Sequence, residues 1–511
     1  VNPWAALSAL CVGFFLIMMD TTIVSVAIPG MLADLDTDLN RVTWVNSVYL
    51  LTYAAPLLVT GRLGDHLGRK PVFLAGMAVF TAASLWCGVS GSVEMLIAAR
   101  AVQGVGAALM APQSMAFITT LFPENRRGAA LGVWGAVAGV ATVVGPLLGG
   151  LLVDSAGWQW IFLLNVPIGV AGLLMTVRMV PGGQPRNSRR FDVLGTLLSG
   201  LGLLALVFGL QNGQYYDWGV VRGPVTVTGV LVAAVVLLAA FLWWQRHNSR
   251  EPLLPLSLFR VRNFSAAAVA TACIGFSLTG FYLPLTLVLQ PVAGLSPREA
   301  GLMLVPMAVA GGVAGPLAGT LSDRISGKWV VLGGFLVFAA GIGMLAAVSE
   351  AGVEPWLLAV VLFVCGTGSG SAFAPLANVA MRGAPPALLG AASGAYNSLR
   401  QVGCVIGSAA ASVLLQARLS ASGYASAEDA TTGLPDGPGA GAFRAALADA
   451  SSATLLMLAA VLLAGAVACL AMVSPERVAA GAPAGTGREE GAPVGAGGGP
   501  GGDRGPDTTG A

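Results

Sequence analysis

GRLGDHLGRKP, running from Gly61 to Pro71, returns as GTLSDRISGK from Gly319 to Lys328, with Asp65 over Asp323 and Lys70 over Lys328 at a constant offset of 258. A second echo follows each copy: Gly128, Ala129, Ala130, Gly132 and Gly145 recur as Gly390, Ala391, Ala392, Gly394 and Gly407, at an offset of 262. Each charged string lies between two long apolar runs. A near-constant offset across such runs means internal duplication, and many secondary transporters are built from duplicated membrane halves. The duplication points to a carrier.

The 511 residues are 56% hydrophobic and only 10% charged, with a mean hydropathy of +0.79. A soluble chain of this length needs more charge on its surface. The net charge of +2 says nothing useful about nucleic acid, because the basic residues are spread over many short loops, and no nucleic-acid partner is expected. Cys11, Cys87, Cys273, Cys365, Cys404 and Cys469 fall inside apolar runs at unrelated spacings and read as small core residues, neither disulfides nor metal ligands. His66 and His247 are isolated. There is no GxxxxGK[ST] phosphate loop, and the glycine-rich GTGSGSAFAP at 366–375 lies within an apolar run. No Ser/His/Asp set is available, so an enzyme is not expected. No cofactor is expected either, and the energy source is an ion gradient.

Runs of about 20 apolar residues suffice to cross a hydrocarbon core. Fourteen such runs occur, among them 7–29, 42–60, 193–212, 224–244 and 452–473. The first carries Asp20, lacks a basic flank and is too long for a signal peptide, so it is expected to be a retained helix. Loops after even-numbered spans hold sixteen Lys and Arg residues, and loops after odd-numbered spans hold five: Arg41, Arg222, Arg298, Arg418 and Arg444. Three more lie in the C-terminal tail. The positive-inside rule then puts both termini and both copies of the repeated string in the cytoplasm.

The copies fall between spans 2 and 3 and between spans 10 and 11, so two extra helices separate the halves. The expected fold is an all-α integral membrane protein with fourteen transmembrane helices in two pseudo-symmetric six-helix halves. Residues 5–180 form the N-terminal half, 191–245 the two inserted helices and 262–475 the C-terminal half. The tail, 476–511, is rich in Gly, Ala and Pro and is expected to be disordered. Residues 417–450 form a long outer loop in which FRAALAD makes one short helix.

These strings resemble motifs of the major facilitator superfamily, and within it the fourteen-helix drug:proton antiporters. GRLGDHLGRKP looks like the superfamily's cytoplasmic loop signature, and RAVQGVGAA (Arg100 to Ala108) like its fourth-helix motif. Gly132, Gly145, Pro146, Gly149 and Gly150 resemble the antiporter motif of the fifth helix, with Ala141 where that motif usually has glycine. MDTTIVSVAIP from Met19, WQWIFLLNVPIG from Trp158 and FDVLG from Phe191 are similar to signatures of the fourteen-helix branch. The resemblance implies that the fifth-helix segment separates exporters from uptake symporters.

In the loop string, Gly61, Gly64 and Gly68 permit a close-packed turn between helices. Asp65 can accept from a helix N-terminus or from an arginine, with Arg62, Arg69 and Lys70 nearby, a cluster that is made in one conformation and broken in another. In the second copy Gly327 replaces Arg69, so Asp323 is expected to brace rather than switch. The fifth-helix glycines fit ordinary close packing equally well, and Pro146 predicts a bend.

Asp20, Arg100 and Arg400 are the only charges deep inside spans. Intramembrane charge is costly and marks a functional site by default. Asp20 lies about nine residues from the outer end of its span and Arg100 about five from that of its own, so their depths differ by about 6 Å. They are expected to pair across a central cavity, with Asp20 carrying the proton and Arg100 modulating it, although a purely structural salt bridge is the alternative. Gln103, Arg400 and Gln401 are candidates for substrate binding, with helix-to-helix hydrogen bonding equally open for Arg400 and its neighbour.

The expected function is export of a small hydrophobic or amphipathic compound, an antibiotic or drug, in exchange for protons across the plasma (inner) membrane by a monomer. A proton-coupled uptake permease or a non-transporting membrane sensor are the alternatives. One deep acid against two arginines predicts neutral, zwitterionic or weakly anionic substrates.

Overall fold

The computed structural model describes residues 2–37, 39–183, 192–213, 215–248, 252–349, 353–382, 384–385, 388–424 and 440–473. Phe191, Arg186, Arg189, Arg190, Arg250, residues 425–439 of the expected outer loop and the tail 476–511 lie outside the described residues.

Apolar runs without side-chain hydrogen-bonding alternatives become helices, because in hydrocarbon every backbone amide must be satisfied within its own segment. The first eight are α1 (Pro3–Asp34), α2 (Leu39–Ala54), α3 (Leu57–Leu67), α4 (Arg69–Gly88), α5 (Val93–Leu121), α6 (Glu124–Ala156), α7 (Trp160–Leu163) and α8 (Asn165–Met179). Then come α9 (Val193–Asn212) and α10 (Val227–His247), joined by a two-stranded antiparallel ribbon, β1 (Val220–Arg222) and β2 (Val225–Thr226), with Val220 opposite Thr226. The last six are α11 (Arg262–Leu287), α12 (Pro297–Arg324), α13 (Gly327–Ala347), α14 (Pro355–Arg382), α15 (Leu389–Ala421) and α16 (Ala440–Leu470). Polar residues placed just outside the apolar runs start several of them. Asn2 accepts from Trp4 N, Ser92 from Met95 N and Thr226 from Gly229 N, while Ser296 and Glu299 form a capping box.

Thirteen stretches of helix among the described residues are long and apolar enough to cross a membrane. The expected span 42–60 is not one of them. It is broken into α2 and α3 at Ala55–Pro56, because Pro56 has no N–H to continue the ladder and its ring crowds the preceding turn. The expected separate helix at FRAALAD also needs correction. Residues 443–449 belong to α16, which runs unbroken from Ala440, twelve residues before the expected start at 452. Alanine and leucine there propagate a helix already nucleated by the apolar run.

Within the N-terminal segment, α1 packs on α6 and α8, and α4 on α5; within the C-terminal segment, α11 packs on α15, and α12 and α13 on α14. The most extensive contacts between the segments are α6 on α12 and α3 on α15, and α6 also packs on α14 and α5 on α15. Helices α9 and α10 pack mainly on each other, and α9 touches α2, α3 and α15. Helix α10 exposes Val232, Val235, Val236, Leu242 and Trp243, as expected of a surface that meets lipid.

Candidate functional site

Asp20 sits in the middle of α1 and is fully buried. Its carboxylate accepts from the Arg100 guanidinium on α5, from Gln103 Nε2 at 3.0 Å and from Asn165 Nδ2 at 3.2 Å. Arg100 also donates to the Val45 carbonyl at 3.1 Å and to Gln103 Oε1 at 2.8 Å, and stacks 4.1 Å over the Tyr49 ring. Asn165 reaches Ser84 Oγ at 3.1 Å, and Ser84 donates to the Phe162 carbonyl. Three helices (α1, α5 and α8) therefore meet at one carboxylate, and α2 and α4 join the network through the Val45 carbonyl and the Ser84 hydroxyl. Arg100 Nη2 and Asn165 Oδ1 are buried without a protein partner. Unsatisfied polar atoms beside a buried ion pair are where a water or an incoming polar group gains most.

The expected pairing of Asp20 with Arg100 is present, but it does not bridge a central cavity. Phe14 and Met18, one turn apart on α1, line the cavity. Asp20 follows Met18 by two residues, about 200° around the helix, and so faces away from it. Gln103 is likewise bound into the carboxylate cluster and does not line this cavity. Gln401 is buried but off the cavity wall.

The cavity measures about 170 Å3 and is walled by α1, α6, α11, α12, α14 and α15. Its lining is apolar apart from Ser369, the Tyr282 phenol and one charge, Arg400. Aromatic rings lead to that charge. Phe14 stacks on Trp134 at 3.8 Å, Trp134 on Phe373 at 5.8 Å, and the Arg400 guanidinium lies 5.8 Å over Phe373. Arg400 Nε is buried without a hydrogen-bond partner, and the phenols of Tyr53 and Tyr396 stand within electrostatic reach.

The repeated strings make a crossed clamp. Asp65 on α3 accepts from Gly390 N at 3.1 Å and Ala391 N at 3.0 Å, at the start of α15. Asp323 on α12 accepts from Gly128 N at 2.9 Å and Ala129 N at 3.0 Å, near the start of α6. Each acid thus holds a helix of the other segment, and the two sequence echoes are the two sides of one contact made twice. Arg69 pairs with Asp65 at 3.4 Å. In the second copy, where Gly327 replaces Arg69, Arg382 stands 4.0 Å from Asp323 instead. The second copy therefore makes the same crossing contact as the first. Lys70 donates to the Val177 and Val180 carbonyls at the end of α8, and Lys328 to the Leu470 carbonyl at the end of α16.

Close backbone approach makes the clamp possible. A Cβ on Gly61 would meet the Gly390 carbonyl and Gly394 Cα, and one on Gly128 would meet the Gly319 carbonyl and Ser322. In the fifth-helix motif, Gly132 lies against Gly315 and Pro316 of α12, while Gly145 and Gly149 lie against Met19, Thr22 and Ile23 of α1. Gly150 touches only Val26, and Pro146 lies inside the continuous α6.

The model of the Major Facilitator Superfamily matches residues 10–408. The chain belongs to that superfamily (MFS). It is 44% identical over 478 residues to an uncharacterised MFS-type transporter of Mycobacterium tuberculosis, covering 92% of this chain and 81% of the relative. It is 34% identical over 420 residues to the tetracenomycin C resistance and export protein of Streptomyces glaucescens, 82% and 77% covered. With the methylenomycin A resistance protein of Streptomyces coelicolor it shares 36% identity over 411 residues, 80% and 85% covered. Among solved structures, the human organic anion transporter MFSD10 superposes with a TM-score of 0.59 at 16% identity, over 90% of this chain and all of that one. The proton:xylose symporter XylE gives 0.60 at 14% identity, covering 91% and 94%. These two establish the MFS fold alone. MFS proteins are transporters, and close relatives of this chain are resistance and export proteins.

Asn165 is a member of the cluster that is not among the sequence candidates, although a lone amide in the apolar run from Trp160 to Met175 is a visible signal. Asn165→Ala removes a donor from the Asp20 carboxylate, and hydrogen bonds to charged groups contribute about 1.5–3 kcal/mol. Transport in vesicles is expected to fall about ten- to a hundredfold with normal yield of folded protein. At the clamp, Gly61→Ala and Gly128→Ala are each expected to hold the Asp65/Asp323 end apart, while Gly312→Ala, whose Cβ would enter open space, is the control. Spin labels at Leu67→Cys and Ile325→Cys, both exposed and on opposite segments, read this as a longer distance in the first two variants only.

Proposed function

We propose that this MFS protein is a fourteen-helix proton-coupled exporter of a small hydrophobic or amphipathic compound, working as a monomer in the plasma membrane and conferring resistance to its substrate. In this reading the broken pair α2–α3 is the fourteenth span, residues 5–180 and 262–475 are the two halves, and α9–α10 is an inserted pair. The excess of Lys and Arg at the clamp end supports placing that end and both termini in the cytoplasm.

The observation that carries the proposal is the buried Asp20 cluster. One carboxylate is balanced by one guanidinium, with spare polar atoms on both sides and no second acid lining the cavity. Such a group takes a proton when its cationic partner is drawn away and releases it when the partner returns. A proton entering down about 150 mV supplies about 3.5 kcal/mol, enough for a few-hundred-fold substrate gradient. The two clamp contacts contribute about 0.3–2 kcal/mol each, and because the clamp re-forms in every cycle this free energy is returned and does not draw on the gradient.

Arg400 at the end of the ring stack favours a planar aromatic compound with an oxygen of zero or negative charge facing the guanidinium. A dication would meet an uncompensated positive charge there. The Streptomyces relatives are a resistance and export protein and a resistance protein, which supports export over uptake.

Asp20→Asn keeps the shape of the site and one acceptor oxygen but cannot take up a proton, so the protein is expected to insert while substrate-induced proton release from inverted vesicles disappears. Undiminished release removes Asp20 from the coupling role. Cells expressing the protein are expected to resist neutral or acidic aromatic compounds more than a bisquaternary dye. Arg400→Gln should weaken binding of an acidic aromatic compound at least about tenfold, the loss of one charge-assisted hydrogen bond. Protection confined to the dication, and dependent on Asp20, overturns the substrate assignment.

A further inference from the structure

Asp192, the residue before α9, divides four hydrogen bonds between its two oxygens. Oδ1 accepts from Gly195 N at 2.9 Å, which caps α9, and from Trp244 Nε1 at 3.0 Å. Oδ2 accepts from Gln245 Nε2 at 2.8 Å and from Leu253 N at 3.3 Å. Gln245 in turn accepts from Leu254 N at 3.0 Å. Leu253 and Leu254 are buried in the main apolar core, so this short stretch beyond α10 is fixed from both sides.

The carbonyls of the same stretch point to the clamp. Arg62 donates to the Pro252 carbonyl through Nη2 at 2.7 Å and to the Leu253 carbonyl through Nε at 3.3 Å. Arg62 lies one turn before Asp65 on α3, the helix that holds the start of α15. A hydrogen-bonded path therefore runs from the foot of the α9–α10 pair to Arg62, on the helix that carries the clamp residue Asp65. It exists on one side only, since Thr320 stands where the second copy would place Arg62. Close packing serves the same node, because a Cβ on Gly195 would collide with the Asp192 carboxylate and the Gln245 amide. Burial alone would raise the proton affinity of Asp192, but the hydrogen bonds from Gln245, Gly195, Trp244 and Leu253 outweigh it and hold the carboxyl below its ordinary value. The group is ionised throughout the neutral range and acts as a fixed acceptor rather than a pH switch.

We propose that Asp192 is a positioning residue of the gate: it sets the Pro252–Leu254 stretch so that its carbonyls hold Arg62, and through it the α9–α10 pair favours the closed clamp. This rests on the reading that the clamp opens during transport. Helices α9 and α10 then have a task beyond filling space: they bias the conformational equilibrium from one side.

Helix capping and latching separate in Asp192→Asn. The side-chain oxygen can still accept from Gly195 N, while an amide replaces the oxygen facing Gln245 and Leu253. Distances between spin labels at Leu67→Cys and Ile325→Cys are measured in the full chain, with the six native cysteines replaced and no substrate present. Asp192→Asn is expected to raise the open-to-closed ratio about three- to tenfold, the loss of one or two hydrogen bonds. Arg62→Gln tests the path from its other end, leaves the α9 cap untouched and is expected to give the same shift. The double variant should go no further than either single one. An unchanged distribution in Asp192→Asn or in Arg62→Gln overturns the latch, as do effects that multiply in the double variant. Asp65→Ala is the reference. If it opens the clamp and the other two do not, the latch alone fails; if none of the three moves the distance, the gating reading fails with it.

Discussion

Two carboxylates, each bound to backbone N–H groups of a helix more than 190 residues away, set the arrangement of everything between them. Asp65 fastens α15 to α3, and Asp323 fastens α6 to α12. A charge facing the N-terminal end of a helix is favourable only within about a turn of that end. The ends of α3 and α12 therefore meet the starts of α15 and α6 at one level, and the same contact is made twice. Lys70 and Lys328 repeat the logic with opposite sign at the carbonyl ends of α8 and α16. Charge is placed almost only where a helix dipole can use it. The rest of these surfaces is left to small residues and dispersion contacts, which are what hold helices together in hydrocarbon.

The buried acid and the cavity occupy opposite faces of α1, with Asp20 on one side and Phe14 and Met18 on the other. An intact helix moves as a unit, so a displacement of the cavity face of α1 also displaces Asp20 relative to Arg100 on α5. Separation has a physical advantage. In the proposed reading, a charged substrate oxygen at Arg400 would not compete with Asp20 for its own arginine, and the acid would be kept away from the substrate's immediate surroundings. Helix α6 joins the two systems to the clamp: Gly145 and Gly149 pack on α1, and Gly132 packs on α12.

Much of this was legible in the chain. The repeat, the apolar runs and the bias of Lys and Arg specify a duplicated helical membrane protein, and the rarity of deep charge singles out Asp20, Arg100 and Arg400. Pairing of Asp20 with Arg100 followed from depth alone. Less was legible wherever a contact depends on which way a helix faces. Depth along a span says nothing about azimuth, so the pair was expected across a cavity that it turns away from. Pro56 carried a readable break that the hydropathy of 42–60 masked. FRAALAD looked like a loop helix because small residues are ambiguous until a neighbouring apolar run extends through them.

Hydropathy, charge bias and repetition are properties of local segments, so the chain alone shows two copies of one device and roughly where the membrane crosses. That the copies are crossed, that Asn165 completes the Asp20 cluster and that Asp192 reaches Arg62 through Leu253 emerges from the folded molecule. Those contacts join segments far apart in the chain through backbone amides and glycines, which carry no side-chain signal of their partner. Their specificity comes from the closeness of approach that packing permits.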